Sequence, residues 1–207
     1  MEAKENILKK IREALSNPVP LPFVDSEGAQ SVYHAASDDD AVLFAEAFTG
    51  LGGRFSFCQN DAELIQQLQL LLQQHGWQKI YCVEPAFAPL MQQIGMEHYN
   101  NLALCDASIT GCEYLVARTG SMVLSSAQQN GRTGSVYAPV HICIAYNSQL
   151  LYDVKDALNF LKEKYKDNFP SFVSFATGPS RTADIEKTLV TGVHGPKEVY
   201  CFLVEDK

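Results

Sequence analysis

The sequence predicts an α/β fold: a mainly parallel sheet with helices on both faces, plus an N-terminal helical arm. Three observations predict it. Short runs dense in branched and aromatic residues alternate with stretches whose apolar residues recur every three to four positions. Such alternation builds βαβ units, whose strands run parallel. Helix punctuation falls at the joints, with Asn60 before one helical stretch, Gly76 after it and Pro85 in the first turn of the next. Finally, 207 residues of which 46% are hydrophobic suffice for one full core.

Taken in order, Lys4 to Leu15 is an amphipathic helix with Ile7, Leu8, Ile11 and Leu15 on one side. Asn17-Pro18-Val19-Pro20-Leu21-Pro22 breaks it and extends the chain. Residues 1–35 therefore read as an arm with a Pro-rich linker, either folded back on its own domain or offered to a partner. Residues 36–207 form the α/β domain. Asp38-Asp39-Asp40 opens a helix, where acidic residues favour the helix dipole, and Gly50-Leu51-Gly52-Gly53 closes it. Arg54–Cys58 is a strand, and Leu64, Ile65, Leu68, Leu71 and Leu72 mark the buried face of the next helix. Lys79–Val83 is strand-like, and a helix runs from Pro85 to Ile94. Leu102–Ser126 breaks into short strands separated by polar turns. Gln128–Gly134 is a polar glycine loop, Pro139–Tyr146 a strand, Asp153–Tyr165 a helix, and Glu198–Val204 the closing strand.

Composition excludes several function classes. A net charge of −8 with scattered basic residues does not suit a nucleic-acid surface. No apolar run approaches the roughly 18 residues of a membrane span, and the charged start MEAKENILKK is unlike a signal peptide. A cytoplasmic location follows as an expectation. The six cysteines lie singly, most within apolar strand-like runs, and read as reduced core residues.

The chemistry concentrates in Ser171–Pro196. Phe172–Ala176 reads as a buried strand, and Thr177-Gly178-Pro179-Ser180 as a turn. Ser180 or Thr182 then caps a helix that ends at Gly192. A helix start after a glycine turn offers backbone N–H groups to an anion, and Arg181 adds a planar cation. The plainer alternative is a helix-entry turn with Asp184 as a dipole partner.

Within this stretch, GPSRTADIE followed by GVHGP resembles the C-terminal signature of the lactate-utilization protein C family, the LUD-domain proteins. Ala117-Arg118-Thr119-Gly120-Ser121 resembles the family's second signature, and Gly131-Arg132 with Pro139-Val140-His141 its third. The similarity runs in order from about residue 40 to residue 204. The resemblance implies a fold like the sugar-phosphate isomerase and CoA-transferase group. It also implies a role beside iron–sulfur subunits that oxidise L-lactate to pyruvate, with no cofactor in this chain. One departure stands out: Arg118 replaces an acidic residue common before Thr-Gly. That rules out carboxylate chemistry at the position. The added charge serves an anionic ligand or an acidic partner, or else faces water.

Together these readings give an expected pocket for a small anionic metabolite at the carboxyl ends of the strands. Thr119, Gly120, Arg132, Gly178, Ser180, Arg181, Thr182, Asp184 and Gly195 are its candidate ligand-binding residues. His194 is the candidate proton donor or acceptor, since histidine titrates near neutrality. His141 is the second, unless it is a strand-start histidine bonded to the backbone. Glu113 is a weaker acid candidate, and no metal site is expected. The functions open at this point are a non-redox component of a lactate-oxidising system, a stand-alone isomerase, hydrolase or acyl-transfer enzyme, and a carboxylate-sensing regulator.

Overall fold

The structure is a computed structural model that describes residues 2–16, 39–97, 99–130, 132–183 and 189–206. Two compact units arise, residues 1–35 and residues 36–207. The first contains α1 (Glu2–Ser16), on which Ile7, Leu8 and Ile11 are exposed. The Pro-rich linker expected after it lies outside the described residues.

The second unit opens with α2 (Asp40–Gly50), whose N-cap Asp39 accepts the Ala41 N–H at 2.9 Å. β1 (Arg54–Cys58) follows, then α3 (Asp61–His75). Asn60 Oδ1 accepts the Glu63 N–H at 3.0 Å to start α3, and Gly76 closes it at φ 67°. β2 (Ile80–Tyr81) is shorter than the apolar run around it. A 3-10 turn at Pro85–Phe87 leads into α4 (Ala88–Gln93). The chain continues through β3 (Ala107–Thr110), β4 (Tyr114–Val116), β5 (Ser121–Ser125), α5 (Gly134–Tyr137), β6 (Val140–Tyr146) and β7 (Leu150–Leu151). It ends with α6 (Val154–Tyr165), β8 (Val173–Ala176), β9 (Arg181–Ala183), β10 (Leu189–Thr191) and β11 (Glu198–Val204).

The central sheet has five parallel strands in the order β1-β11-β6-β3-β2. Its inner strands β6 and β11 are mostly apolar on both sides, as a parallel sheet covered on both faces requires. One side packs Ile109, Ile142, Ile144 and Phe202 against Leu64, Leu68 and Leu72 of α3 and Met91 of α4. The other packs Cys143, Ala145, Cys201 and Leu203 against Phe44 and Phe48 of α2, and against Leu115, Met122 and Leu124. Those last three belong to a second sheet, β7-β4-β5-β8, in which β5 runs antiparallel to β4 and β8. Helices were expected on both faces, and α2 does cover part of this one, but the second sheet shares it. The second sheet fits there because its strands are apolar on both faces: Leu115 and Met122 face the main sheet, while Val116 and Val123 face Ala157 and Leu161 of α6.

The segment after Pro179 departs from the expected helix. β9 and β10 pair antiparallel, with Thr182 opposite Val190 and Arg181 opposite Thr191. The Ser180 N–H donates to the Pro196 carbonyl at 2.9 Å, and the Gly192 N–H to the Ser180 carbonyl at 2.9 Å. The Pro196 carbonyl, in the loop before β11, thus takes the Ser180 amide that a helix start would have offered to an anion. Thr182, Val190 and Thr191 are β-branched and suit this pairing.

Candidate functional site

The two glycine loops do meet, but at the amino ends of the parallel strands. Gly195 lies against Ser180, where an added Cβ would come within 2.9 Å of the Ser180 side chain. Arg181 is exposed and donates from Nη2 to the Leu51 carbonyl, just before β1. Gly178, at φ 119°, sits beside the same carbonyl. Next to this junction lies a cavity of about 580 Å³, lined in part by Cys105, Tyr137, Pro139, His194, Gly195 and Lys197. Its edge carries the exposed apolar side chains Val136, Tyr137 and Val193. Arg54 is also at this end, ion-paired with Glu198 at 2.9 Å.

The remaining candidates are dispersed. Thr119 Oγ1 hydrogen-bonds Ser121 Oγ at 2.7 Å. Gly120, at φ 59°, is pressed against α2: a Cβ there would lie 2.5 Å from the Phe48 nitrogen. Arg132 lies at the other end of β8 from Gly178, donating to Ser171 Oγ at 2.7 Å and stacking over Phe172. Thr182 is taken up by the β9–β10 ladder. Asp184 lies outside the described residues. His141 is 1% exposed and bonds Thr110 Oγ1 through Nε2 at 2.8 Å, so its partner is a hydroxyl and not the backbone. Burial pushes its imidazole down to about 4, which keeps it neutral near pH 7. Shut away from solvent in this way, it serves as a core histidine.

The carboxyl ends of the strands, where the pocket was expected, are acidic. One cavity there, of about 560 Å³, is lined by Gln59, Asn60, Asp61, Tyr146, Glu205 and Asp206. Beyond β2, Glu84 accepts the Gly111 N–H at 3.1 and 3.2 Å and a hydrogen bond from Asn130 Nδ2. Burial raises the Glu84 carboxyl above its ordinary range, against the pull of those donors. Glu113, 3% exposed, shows the opposite balance. Burial pushes it up, but hydrogen bonds from Lys164, Ser125 and Tyr165 outweigh burial and leave it below the usual range. Sequence reading passed over Glu84, Asn130, Tyr137 and Lys197. The one local sign was at Glu84, which sits between a strand-like run and a helix-starting proline.

A family model of the LUD domain matches residues 31–204. The chain belongs to the LUD-domain family. A crystal structure of a DUF162 family protein from Deinococcus radiodurans shares its fold, with a TM-score of 0.62 at 19% identity over 80% of this chain and 96% of that one. An uncharacterized protein of Neisseria meningitidis serogroup B is 28% identical over 96% of this chain and 92% of its own length. Lactate utilization protein C of Bacillus licheniformis is 34% identical over 115 residues, which is 55% of this chain and 48% of that protein. The chain thus spans about half the length of that curated relative.

In this LUD domain Arg118 forms a forked pair with Asp153, at 2.9 and 3.4 Å, and so ties the β4–β5 connection to the N-cap of α6. Asp153 is held below the usual carboxylate range, first by that hydrogen bond. All six cysteines are free and buried. Cys58 and Cys82 pack in the first core cluster, and Cys112, Cys143 and Cys201 in the second. Among the described residues no helix is long and apolar enough to cross a membrane.

Proposed function

We propose that this LUD domain is the non-redox component of a system that oxidises L-lactate to pyruvate. Partner subunits would carry the iron–sulfur clusters, and this chain would hold a small carboxylate at the amino ends of its central sheet. The observation that carries the reading is the junction of Ser180 with Pro196 and Gly192, which brings together the two segments that carry the C-terminal resemblance to the family. Arg181, His194 and Lys197 gather around that junction and its cavity. A compact carboxylate matches cationic donors beside a tight turn. The apolar edge formed by Val136, Tyr137 and Val193 suits a site completed by a partner subunit. Iron–sulfur ligation usually draws on closely spaced cysteines, and the six cysteines of this chain lie singly along the sequence, which is the ground for assigning the clusters to partners. The relative named for lactate utilization supplies the pathway.

Two measurements test this. L-lactate and pyruvate are titrated calorimetrically into the wild type, Arg181→Ala and Lys197→Ala. A tenfold or greater loss of affinity, about 1.4 kcal/mol, is expected in at least one variant, and equal affinity in all three removes the anion site. Separately, the tagged chain is purified from cells grown on L-lactate. Recovery without iron–sulfur subunits, together with normal growth on lactate after deletion, removes the pathway assignment.

A further inference from the structure

We propose that Glu84 marks a second ligand site, which takes a small uncharged molecule with an apolar body and a hydrogen-bond-accepting oxygen, and that Glu84 is the proton donor to that oxygen. The site lies beyond the carboxyl end of β2, at the opposite end of the sheet from the cavity of His194 and Lys197, and does not depend on the lactate reading.

Four observations converge on it. Glu84 lines a cavity of about 480 Å³, within the range of small-molecule sites. Cys82, Val83, Pro85, Ala88, Met91 and Met96 make most of that wall apolar, with Gln92 and Glu97 as its other polar residues. Among the described residues, the wall contains no lysine or arginine to hold an anion. The Glu84 carboxyl is positioned before any ligand arrives. Its Oε1 accepts from Gly111 and Asn130, while among the described residues Oε2 accepts only the 3.2 Å branch of the Gly111 bond, which leaves Oε2 with capacity for one more partner.

Gly111 is shaped to this carboxyl: a Cβ there would come 3.0 Å from Oε2 and 3.5 Å from the Phe87 ring. Asn130, 8% exposed, completes the arrangement. Its Nδ2 donates to Glu84, while its Oδ1 is buried with no partner, turned toward Gly134. Leaving a buried acceptor unpaired is costly. A half-satisfied buried polar group of this kind calls for an explanation, and a functional role is one such explanation. Burial favours the neutral, donating form of the carboxyl, and a neutral carboxylic acid in an apolar recess recognises an acceptor oxygen on an uncharged ligand.

The test uses 2-butanone as probe and the full chain labelled with ¹³C on its methionine methyls. Met91 and Met96 line the cavity, and Met122, buried in the other core cluster, is the internal control. Saturable shifts of Met91 and Met96, with Met122 unmoved, are expected at low pH. The affinity should weaken about tenfold per pH unit once pH exceeds the Glu84 pKa, because the donor proton is gone. The groups facing Glu84 electrostatically are Cys82, Cys112, Glu113 and Cys143. Glu97 shares the cavity, and Glu97→Gln controls for it by keeping the pH dependence. Glu84→Gln keeps a donor of the same shape and should bind without pH dependence, while Glu84→Ala should lose tenfold or more. If Glu84→Ala does not fold, the contrast between wild type and Glu84→Gln decides. The proposal is overturned if the wild type shows no Met91 or Met96 shifts, or if its binding matches that of Glu84→Gln at every pH.

Discussion

Replacing Gly120 by alanine isolates the contact that docks α2 onto the β4–β5 connection. Two costs add at this position. Its φ of 59° is left-handed, and there an L side chain costs about 1–2 kcal/mol. The new Cβ would also lie 2.5 Å from the Phe48 nitrogen and 2.8 Å from the Ala47 carbonyl carbon. Both atoms are helix backbone and cannot swing aside as a flexible side chain can. Overpacking of this kind costs about 1–3 kcal/mol. The sum is about 2–5 kcal/mol, or roughly 5–15 °C in Tm for a chain of this size. Gly76→Ala is the matched control, because Gly76 has φ 67° with nothing within 4 Å of its added Cβ. It carries only the backbone cost, about 1–2 kcal/mol. Urea unfolding followed by far-UV circular dichroism measures both variants. A Gly120→Ala variant within about 0.5 kcal/mol of Gly76→Ala would refute the packing argument.

Further consequences follow from the buried titratable groups. His141 is depressed from 6.5 to about 4, so the unfolded chain binds the extra proton between those values. Stability should therefore fall by ~3 kcal/mol as pH drops through that window, and His141→Gln should flatten the slope of stability against pH. Lys164→Met removes the cation paired with the buried Glu113 carboxylate and leaves it the Ser125 and Tyr165 hydroxyls. Because Lys164 is half exposed, the expected cost near neutral pH is about 1–3 kcal/mol, below that of a fully buried pair. The loss should shrink in acid as Glu113 protonates, and thermal melts at two pH values measure the difference. Asp153 both caps α6 and chelates Arg118. Asp153→Ala should thus cost about 1–2 kcal/mol, against about 1 or less for Arg118→Ala, in parallel urea titrations.

Much of the fold was legible because its signals are local. Asn60 and Gly76 bracket α3 through bonds that span three or four residues, and the period of Leu64, Leu68 and Leu72 names the buried face. β1 and β11 match their apolar runs residue for residue. The stretch after Pro179 was misread for a physical reason. Its Ser, Asp and Glu spacing mimics a capped helix, while the bonds that decide it run from Ser180 to Gly192 and Pro196. The site was legible only in its parts. His194 and Gly195 do lie beside Ser180, whereas Arg132 is held at the far end of β8 by Ser171 and Phe172.

By itself the sequence determined the element types, the parallel α/β class, the buried thiols and the kinship with LUD-domain proteins. Each of these depends on residue type and on spacing within a turn or two of chain. Only the tertiary structure decided which end of the sheet gathers cations and which gathers carboxylates. It also decided that a second sheet covers one face, and that Glu84 meets Gly111 and Asn130. Those outcomes depend on strand order and direction, set by burial and ladder pairing between segments scores of residues apart, and no local pattern encodes them.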